Sequence, residues 1–480
     1  MEYIEKEIYE QGSGGDEELF VYKTGTHSSF LTYDGIDVNG KRISDEILEK
    51  TDKLNKNGNR VVKFSIVGFS IGGLISRYAI GILLYQNYFK DIIPVNFVTF
   101  CTPHVGVLRF GNSFMVRQFN RIIPAMLANT GYQIFLQDKT MIGSISTQDN
   151  KRHLPLLVWM SEPNSIFYKA LSNFRHKTLY ANIINDKRTQ WFTSAIMDTD
   201  PFRSASNNDA KVFDFEYERG FEPTVINISK PFKVNKKIED NSNSSSESSL
   251  MKYARRALKV FTSFSVMVVS MTVRGLAFGV LTLIERIKLS KRLSIFFREI
   301  SFNHLYLYDD PSSLRVEEQI SETLENEDTG TFANIIERKL SDQVIDSTDV
   351  FANTIYSSLD PEEEYLHAAG DLLLSEKDNS SANTLTTSKA VDPRDMFVYS
   401  NGKDLYDAHK KTAAQFKLDV SPIQARIIKN LNTLGWQKFP LVIRNVDSTH
   451  SVAIYRQPGE KFKEGKASVR HFVSTQFHLN

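Results

Sequence analysis

The sequence predicts an α/β fold in which helices flank a mostly parallel sheet. Runs of β-branched and aromatic residues at 18–24, 61–67, 95–100 and 178–185 have the composition of strands, and the last three read as buried. Residues 114–175, between the last two runs, are mainly helix-forming. Strands that alternate with helices indicate a doubly wound sheet, whose functional groups gather at the carboxyl ends of the strands.

Composition excludes several classes of protein. The chain has 480 residues, enough for one large α/β domain with insertions or for two or three domains, and its net charge of +1 predicts no nucleic-acid partner. The single cysteine, Cys101, excludes a disulfide framework and a cysteine-based zinc site, which fits a reducing compartment or a cytosolic membrane face. The first twenty residues are acidic and lack the apolar core of a signal peptide.

The motif that organises the chain follows the strand at 61–67. Gly68-Phe69-Ser70-Ile71-Gly72-Gly73 leads directly into an apolar helix, and strand, Gly-Xaa-Ser-Xaa-Gly turn and helix are the context of a nucleophile elbow. We expect a side chain at Gly68 or Gly72 to collide with the neighbouring strand or helix. The turn would expose the Ser70 hydroxyl, and the backbone N–H of Ile71 would be free to hold an oxyanion.

A serine nucleophile needs a base, which in this class of fold comes late in the chain, after an acid. His450 lies in a polar loop between predicted strands at 439–445 and 452–456. His104 is the competitor, but packing near a strand end explains it better.

 All of the candidate acids follow His104 in the chain, which reverses the expected order of acid before histidine.

The candidate acid is Asp186, which comes directly after the predicted strand at 178–185. A carboxylate at the end of a buried parallel strand lies on the same edge of the sheet as the elbow. Asp138, Asp198 and Asp200 remain alternatives, and a simple turn is the competing interpretation of Asp186 itself.

A long apolar stretch runs from Val260 to Ile284 and contains one charge, Arg274. As a helix it would be about 37 Å long, compared with about 30 Å for the hydrocarbon core of a bilayer. Basic residues flank it on both sides, so it carries no orientation signal. We interpret it as an anchor in a membrane or lipid-droplet surface, with a buried soluble helix as the alternative.

These features divide the chain into five predicted parts. They are a hydrolase-like domain at 1–235, a disordered linker at 236–250, the anchor region at 251–300, an acidic and poorly ordered insertion at 301–414, and at 415–480 a return to the first domain that carries His450.

Taken together, the motifs resemble the serine esterase (lipase-like) family of α/β-hydrolases. The resemblance covers the chain up to about residue 230 and its last 60 or so residues. The matching stretches are 33–36 (YDGI), 68–81 (GFSIGGLISRYAIG), 102–106 (TPHVG), 179–186 (LYANIIND), 192–196 (FTSAI) and 450–454 (HSVAI).

The resemblance implies Ser70 as nucleophile, Asp186 as acid and His450 as base. It implies hydrolysis of acyl esters in glycerolipids, with phospholipids as the favoured substrates, without a metal or other cofactor. Fungal members found on lipid droplets also carry a hydrophobic segment between the two halves of the site, so we expect a lipid-droplet or endoplasmic reticulum location on the cytosolic face. Nothing in the sequence indicates a protein partner.

One family feature has no counterpart here. The family opens with a strand and a His-Gly-Leu-Trp-Gly loop that supplies a second oxyanion donor, whereas no His-Gly pair precedes Ser70. We therefore expect the natural start to lie upstream of Met1, and the chain as given to lack the first strand and that donor. The loss of one such donor typically lowers the rate about 10²–10³-fold. A catalytically silent lipid-binding or scaffold protein is the alternative function.

The order of the site residues also constrains the anchor. Ser70 and Asp186 precede the apolar stretch and His450 follows it, so a single crossing would separate His450 from Ser70. We therefore expect the stretch to enter and leave the lipid on one side, as a hairpin or monotopic anchor. Gly275 near its middle would permit the bend.

Overall fold

The computed structural model describes twelve parts of the chain. They are residues 1–11, 17–26, 29–111, 114–138, 140–142, 152–200, 202, 213–227, 233–234, 288–293, 417–446 and 448–479. The predicted linker at 236–250, the apolar stretch at 260–284 and the acidic insertion at 301–414 lie outside these residues. Within the described parts, no helix combines the length and apolar character needed to cross a membrane.

The described strands follow the order of the chain. They are β1 (Lys63–Phe69), β2 (Ile93–Phe100), β3 (Thr140–Ile142), β4 (Arg152–Leu154), β5 (His176–Asn182), β6 (Phe213–Asp214), β7 (Lys233–Val234) and β8 (Gln437–Leu441). Four of them form one sheet in the order β1-β2-β5-β8, and all three pairings are parallel. This sheet confirms the predicted α/β class. The remaining strands form two small antiparallel pairs, β3–β4 and β6–β7.

The described helices surround this sheet. They are α1 (Glu2–Gln11), α2 (Ile36–Lys56), α3 (Ile71–Tyr85), α4 (Phe114–Met126), α5 (Ala128–Ile134), α6 (Leu156–Trp159), α7 (Ile166–Ser172), α8 (Trp191–Ser194), α9 (Pro422–Asn432) and α10 (Glu464–His471). Helix α9 begins with a capping box, in which Ser421 and Gln424 each bond the other's backbone.

Apolar clusters cover the sheet on both faces. Each strand contributes to both clusters, because its side chains alternate between the two faces. On β2, Phe97 packs into one apolar cluster with α3 and α7, whereas Val98 packs into a second cluster with α1 and the C-terminal segment. On β5, Leu179 and Tyr180 divide between the two clusters in the same way. A sheet buried on both faces explains why its strands read as continuous apolar runs.

Two predicted strands are wrong. Residues 18–24 form no strand; there Tyr22 donates a hydrogen bond to the Glu46 carboxylate at 2.6 Å, and the Val21 N–H bonds the Tyr9 hydroxyl at 3.1 Å. Residues 452–454 form a 3₁₀ turn rather than a strand, and it ends at Tyr455 in a left-handed conformation. In both places local contacts outweigh strand propensity.

Candidate active site

The carboxyl edge of the sheet holds an unusual backbone. Three residues other than glycine have positive φ just after neighbouring strands: Ser70 (54°) after β1, Cys101 (46°) after β2 and Asn185 (55°) near the end of β5. Such conformations cost of order 1–3 kcal/mol each and cluster at functional sites. The three conformations therefore indicate a functional site at the carboxyl edge of the sheet.

Ser70 sits at the sharp turn between β1 and α3, with φ 54° and ψ −131°. Its N–H donates to the carbonyl of Phe100 at 2.8 Å, and its own carbonyl accepts a hydrogen bond from the Thr102 hydroxyl at 2.8 Å. Helix α3 begins at Ile71, so the Ile71 N–H belongs to the first turn, where no intrahelical acceptor exists. The turn thus presents a hydroxyl beside a helix N-terminus.

The crowded glycines of this turn are Gly68 and Gly73, whereas the sequence predicts crowding at Gly68 and Gly72. A methyl group at Gly68 would overlap the backbone of Gly73, and one at Gly73 would overlap the Thr102 side chain. A methyl group at Gly72 would meet nothing within 4 Å. The expectation of a collision at Gly72 is therefore wrong, because that position of α3 faces open space.

His450 lies beside Ser70 even though 380 positions separate them in the chain. The His450 Nε2 atom is 2.8 Å from the Ser70 hydroxyl, and Nδ1 is 2.9 Å from the nearer carboxylate oxygen of Asp186. An ionised carboxylate only accepts hydrogen bonds, so the arrangement fits a neutral imidazole with its proton on Nδ1. Nε2 is then free to accept the hydroxyl proton of Ser70.

Asp186 is held by several donors in addition to His450. The backbone N–H groups of Thr189 (2.8 Å) and Arg188 (3.2 Å) and the amide of Asn182 (3.1 Å) all donate to its carboxylate. Burial by itself would raise the pKa of Asp186, but the interaction with His450 and these hydrogen bonds outweigh it and leave the pKa below its usual value. The carboxylate therefore stays ionised and fixes the imidazole.

Cys101 is a neighbour of this site that sequence reasoning did not place there. Its thiol, the Asp186 carboxylate and the His450 ring lie with their ligand-type atoms within 4.8 Å of one another, the arrangement among the described residues that most resembles a metal site. Burial and then the Asp186 charge raise the pKa of the thiol well above its usual value, so it stays protonated and is a poor metal ligand. Its position directly after β2, as Ser70 follows β1, was the available signal.

The competing residues have other partners. His104 is fully buried, with Nε2 2.9 Å from the Thr99 hydroxyl and its ring against Trp436. Burial, followed by the charges of Arg77 and Lys438, lowers its pKa well below the usual value.

The alternative acids also act locally. Asp138 accepts a hydrogen bond from the backbone of Leu156 at 2.7 Å, and Asp200 accepts one from Phe202 at 2.9 Å. The Asp198 charge acts on Lys438, where it opposes the lowering of the lysine pKa by burial. The residues that meet at Ser70 are thus His450 and Asp186.

A hydrogen-bonded serine, histidine and aspartate on the carboxyl edge of a parallel sheet have a geometry typical of serine hydrolases. Comparison with known families matches residues 1–196 to the family described as "Putative serine esterase (DUF676)". This part of the chain is similar to that family, and the resemblance predicted from the motifs is confirmed.

Curated relatives come from two yeasts. "Putative lipase C4A8.10" of Schizosaccharomyces pombe is 30% identical over 230 residues, which are 47% of this chain and 28% of that protein. "Putative lipase YDL109C" of Saccharomyces cerevisiae is 27% identical over 199 residues, 41% of this chain and 28% of that protein. The matched part thus spans little more than a quarter of either relative. No solved structure matches the chain significantly.

Proposed function

We propose that the chain is a serine lipase that hydrolyses acyl esters of glycerolipids, with phospholipids as the preferred class, through Ser70, His450 and Asp186. The observation that carries the proposal is the position of His450, which bridges the Ser70 hydroxyl at 2.8 Å and the Asp186 carboxylate at 2.9 Å. The names of the yeast relatives, each printed as "Putative lipase", support a lipid ester as substrate.

In the proposed reaction the Ser70 oxygen attacks the carbonyl carbon of the ester while His450 Nε2 takes the hydroxyl proton. Asp186, held ionised by its donors, stabilises the imidazolium that forms. The Ile71 N–H donates to the oxyanion. His450 then returns the proton to the departing alcohol, and the acyl group remains on Ser70. Water, deprotonated by His450, releases the fatty acid and restores Ser70.

We also propose that the protein works on the cytosolic face of a lipid-droplet or endoplasmic reticulum surface, with residues 260–284 as its anchor. The contact between Ser70 and His450 supports an anchor that enters and leaves on one side, since the two residues flank this stretch in the chain. A hairpin or monotopic anchor meets this requirement and a single crossing does not.

The test begins with a fluorophosphonate probe, which reacts with activated serines. We expect the parent chain to be labelled, and the Ser70→Ala and His450→Gln variants to remain unlabelled. Ser172→Ala, at the exposed end of α7, is the matched serine control and should label like the parent. Release of fatty acid from phosphatidylcholine and from triacylglycerol then separates phospholipase from triacylglycerol lipase activity. A parent chain that resists the probe and releases no fatty acid would contradict the proposal and favour a lipid-binding or scaffold role.

A further inference from the structure

Helix α4 exposes a stripe that its own packing does not explain. Phe114 is 64% exposed and Ile122 is 50% exposed, and Arg117 and Arg121 are exposed on the same side of the helix. The opposite side packs into the core through Val116, Phe119 and Ile123. The residues of α4 include no acidic side chain. The stripe therefore combines apolar groups with two positive charges that no acidic residue of α4 balances.

The stripe lies close to the candidate active site. The Arg109 guanidinium donates to the carbonyl of Lys187, the residue after Asp186, at 3.3 Å, and it lies 4.8 Å from the centre of the Phe119 ring on α4. The Asn120 side chain bonds both the N–H and the carbonyl of Arg109, at 3.0 and 2.7 Å. Arg109 thus joins α4 to the loop that holds the acid.

A second basic segment lies beside α5, the helix that follows α4. Residues 288–293 are helical, and Arg292 binds the buried Asp34 carboxylate through two hydrogen bonds of 2.8 and 2.9 Å. The Asp34 carbonyl in turn accepts a hydrogen bond from Asn129 of α5 at 2.7 Å. Lys288 and Lys291 of this segment are exposed. Arg292 therefore joins this segment to the residues that contact α5.

We propose that the exposed stripe of α4 (Phe114, Arg117, Arg121 and Ile122) docks on an anionic phospholipid surface and holds the Ser70 site against it. Arginine binds phosphate groups through paired hydrogen bonds, and aromatic and aliphatic side chains enter the boundary between head groups and acyl chains. The charge of the stripe is complementary to such a surface. The docking itself does not depend on the proposed function. A lipid specificity of hydrolysis that resulted from the docking would rest on the proposed function.

Site-specific fluorescence tests the orientation directly. Cys101 is the only cysteine and is fully buried, so Phe114→Cys provides one accessible thiol for an environment-sensitive dye. We expect the dye emission to shift to the blue with vesicles of phosphatidylcholine and phosphatidylserine. The control is Ile93→Cys, which is 38% exposed in the parent and lies at the amino end of β2, where we expect no shift. A dye at Phe114→Cys that stays in water while the chain is bound would overturn the proposal.

Charge removal tests the electrostatic part. We expect the double variant Arg117→Gln/Arg121→Gln to bind the anionic vesicles about 30-fold more weakly than the parent, as estimated for two basic residues near an anionic surface. The difference should shrink at high salt and be absent with phosphatidylcholine alone. The control pair is Lys56→Gln/Arg60→Gln, exposed residues before β1 at the opposite edge of the sheet. Equal losses in the two double variants would contradict docking through α4.

The outcomes separate the docking proposal from the proposed function. If the parent chain binds vesicles through α4 but resists the fluorophosphonate probe, the docking stands and the lipase proposal fails. If it hydrolyses lipid while the α4 variants bind like the parent, the reverse holds. A blue shift that appears without vesicles and grows with protein concentration would show a second copy on the stripe and overturn docking on lipid.

Discussion

The two edges of the central sheet differ sharply. At the carboxyl edge, Ser70 and Cys101 adopt positive φ, and Asp186 and His450 are both buried. At the amino edge, the first residues of the strands are ordinary and open to solvent, as at Ile93, which is 38% exposed. One edge thus concentrates the backbone strain and the polar groups around Ser70, whereas the strands of the other edge begin at positions open to solvent.

The difference shows at which edge the fold maintains conformations and buried groups that lower its stability. Positive φ at residues with side chains and the burial of a carboxylate are each costly, and they persist only where the surrounding structure holds them. The neighbouring strands provide this support: the Ser70 N–H bonds the end of β2, and the Cys101 N–H bonds Tyr180 of β5 at 2.8 Å. By contrast, the Lys63–Glu17 ion pair at the amino edge is partly exposed and contributes little.

The largest expected effect is the loss of activity in Asp186→Asn. An asparagine keeps the shape of the side chain but removes the charge that holds and stabilises the His450 imidazole, and the equivalent change in serine proteases lowers kcat about 10⁴-fold. We expect a decrease of that order in the hydrolysis of a soluble ester. Asp200→Asn changes an alternative acid in the same way and should leave the rate close to that of the parent. A greater loss in Asp200→Asn would show that the acid was assigned to the wrong residue.

A smaller effect, on stability, is expected from glycine changes at the elbow. A methyl group at Gly68 overlaps the Gly73 backbone, whereas one at Gly72 meets open space. We expect Gly68→Ala to lower the free energy of unfolding by about 1–3 kcal/mol, typical of overpacking. Gly72→Ala should be neutral or stabilising by up to about 1 kcal/mol, because alanine favours the helix. Denaturant unfolding measures both, and equal effects would show that crowding does not select the glycines of this turn.

The predictable parts of this site are those that depend on residues close to one another in the sequence. Strand, tight turn and apolar helix follow one another within about twenty residues around Ser70, so their pattern is visible without tertiary information. The position of Asp186 after a buried strand was visible for the same reason. Whether these side chains meet depends on strand order and on the loop after β8, which periodicity does not specify.

The errors arise where tertiary contacts decide. In the sequence, Cys101 is informative only as the single cysteine of the chain. Its position beside Asp186 could not be predicted, because it requires β2 and β5 to be neighbours. The strand predicted at 18–24 has suitable residues, but its Tyr22 binds Glu46 on α2 instead. Gly72 was assigned a packing role that belongs to Gly73, since only the structure shows which glycine faces Thr102.

A titratable group is also buried in the amino half of the sheet, namely Lys438 near the amino end of β8. It is almost fully buried, and its amine donates to the Ile196 carbonyl at 3.0 Å and to the Asn432 side chain at 2.7 Å. Burial lowers its pKa to about 7, although the Asp198 charge opposes the shift. In the unfolded chain the pKa of a lysine is about 10.4. Between these two values the unfolded state therefore binds one more proton than the folded state.

The smallest expected effect follows from this difference in proton binding. Stability rises with pH wherever the unfolded state holds more protons, so Lys438 should make the free energy of unfolding increase from about pH 7 toward pH 10, by at most about 1.4 kcal/mol per pH unit. Lys438→Met removes the titrating group, and we expect a flatter profile over this range. Lys429→Met, the same change at an exposed position of α9, should keep the slope of the parent. Parallel profiles for the parent and Lys438→Met would mean that the buried amine does not titrate in this range.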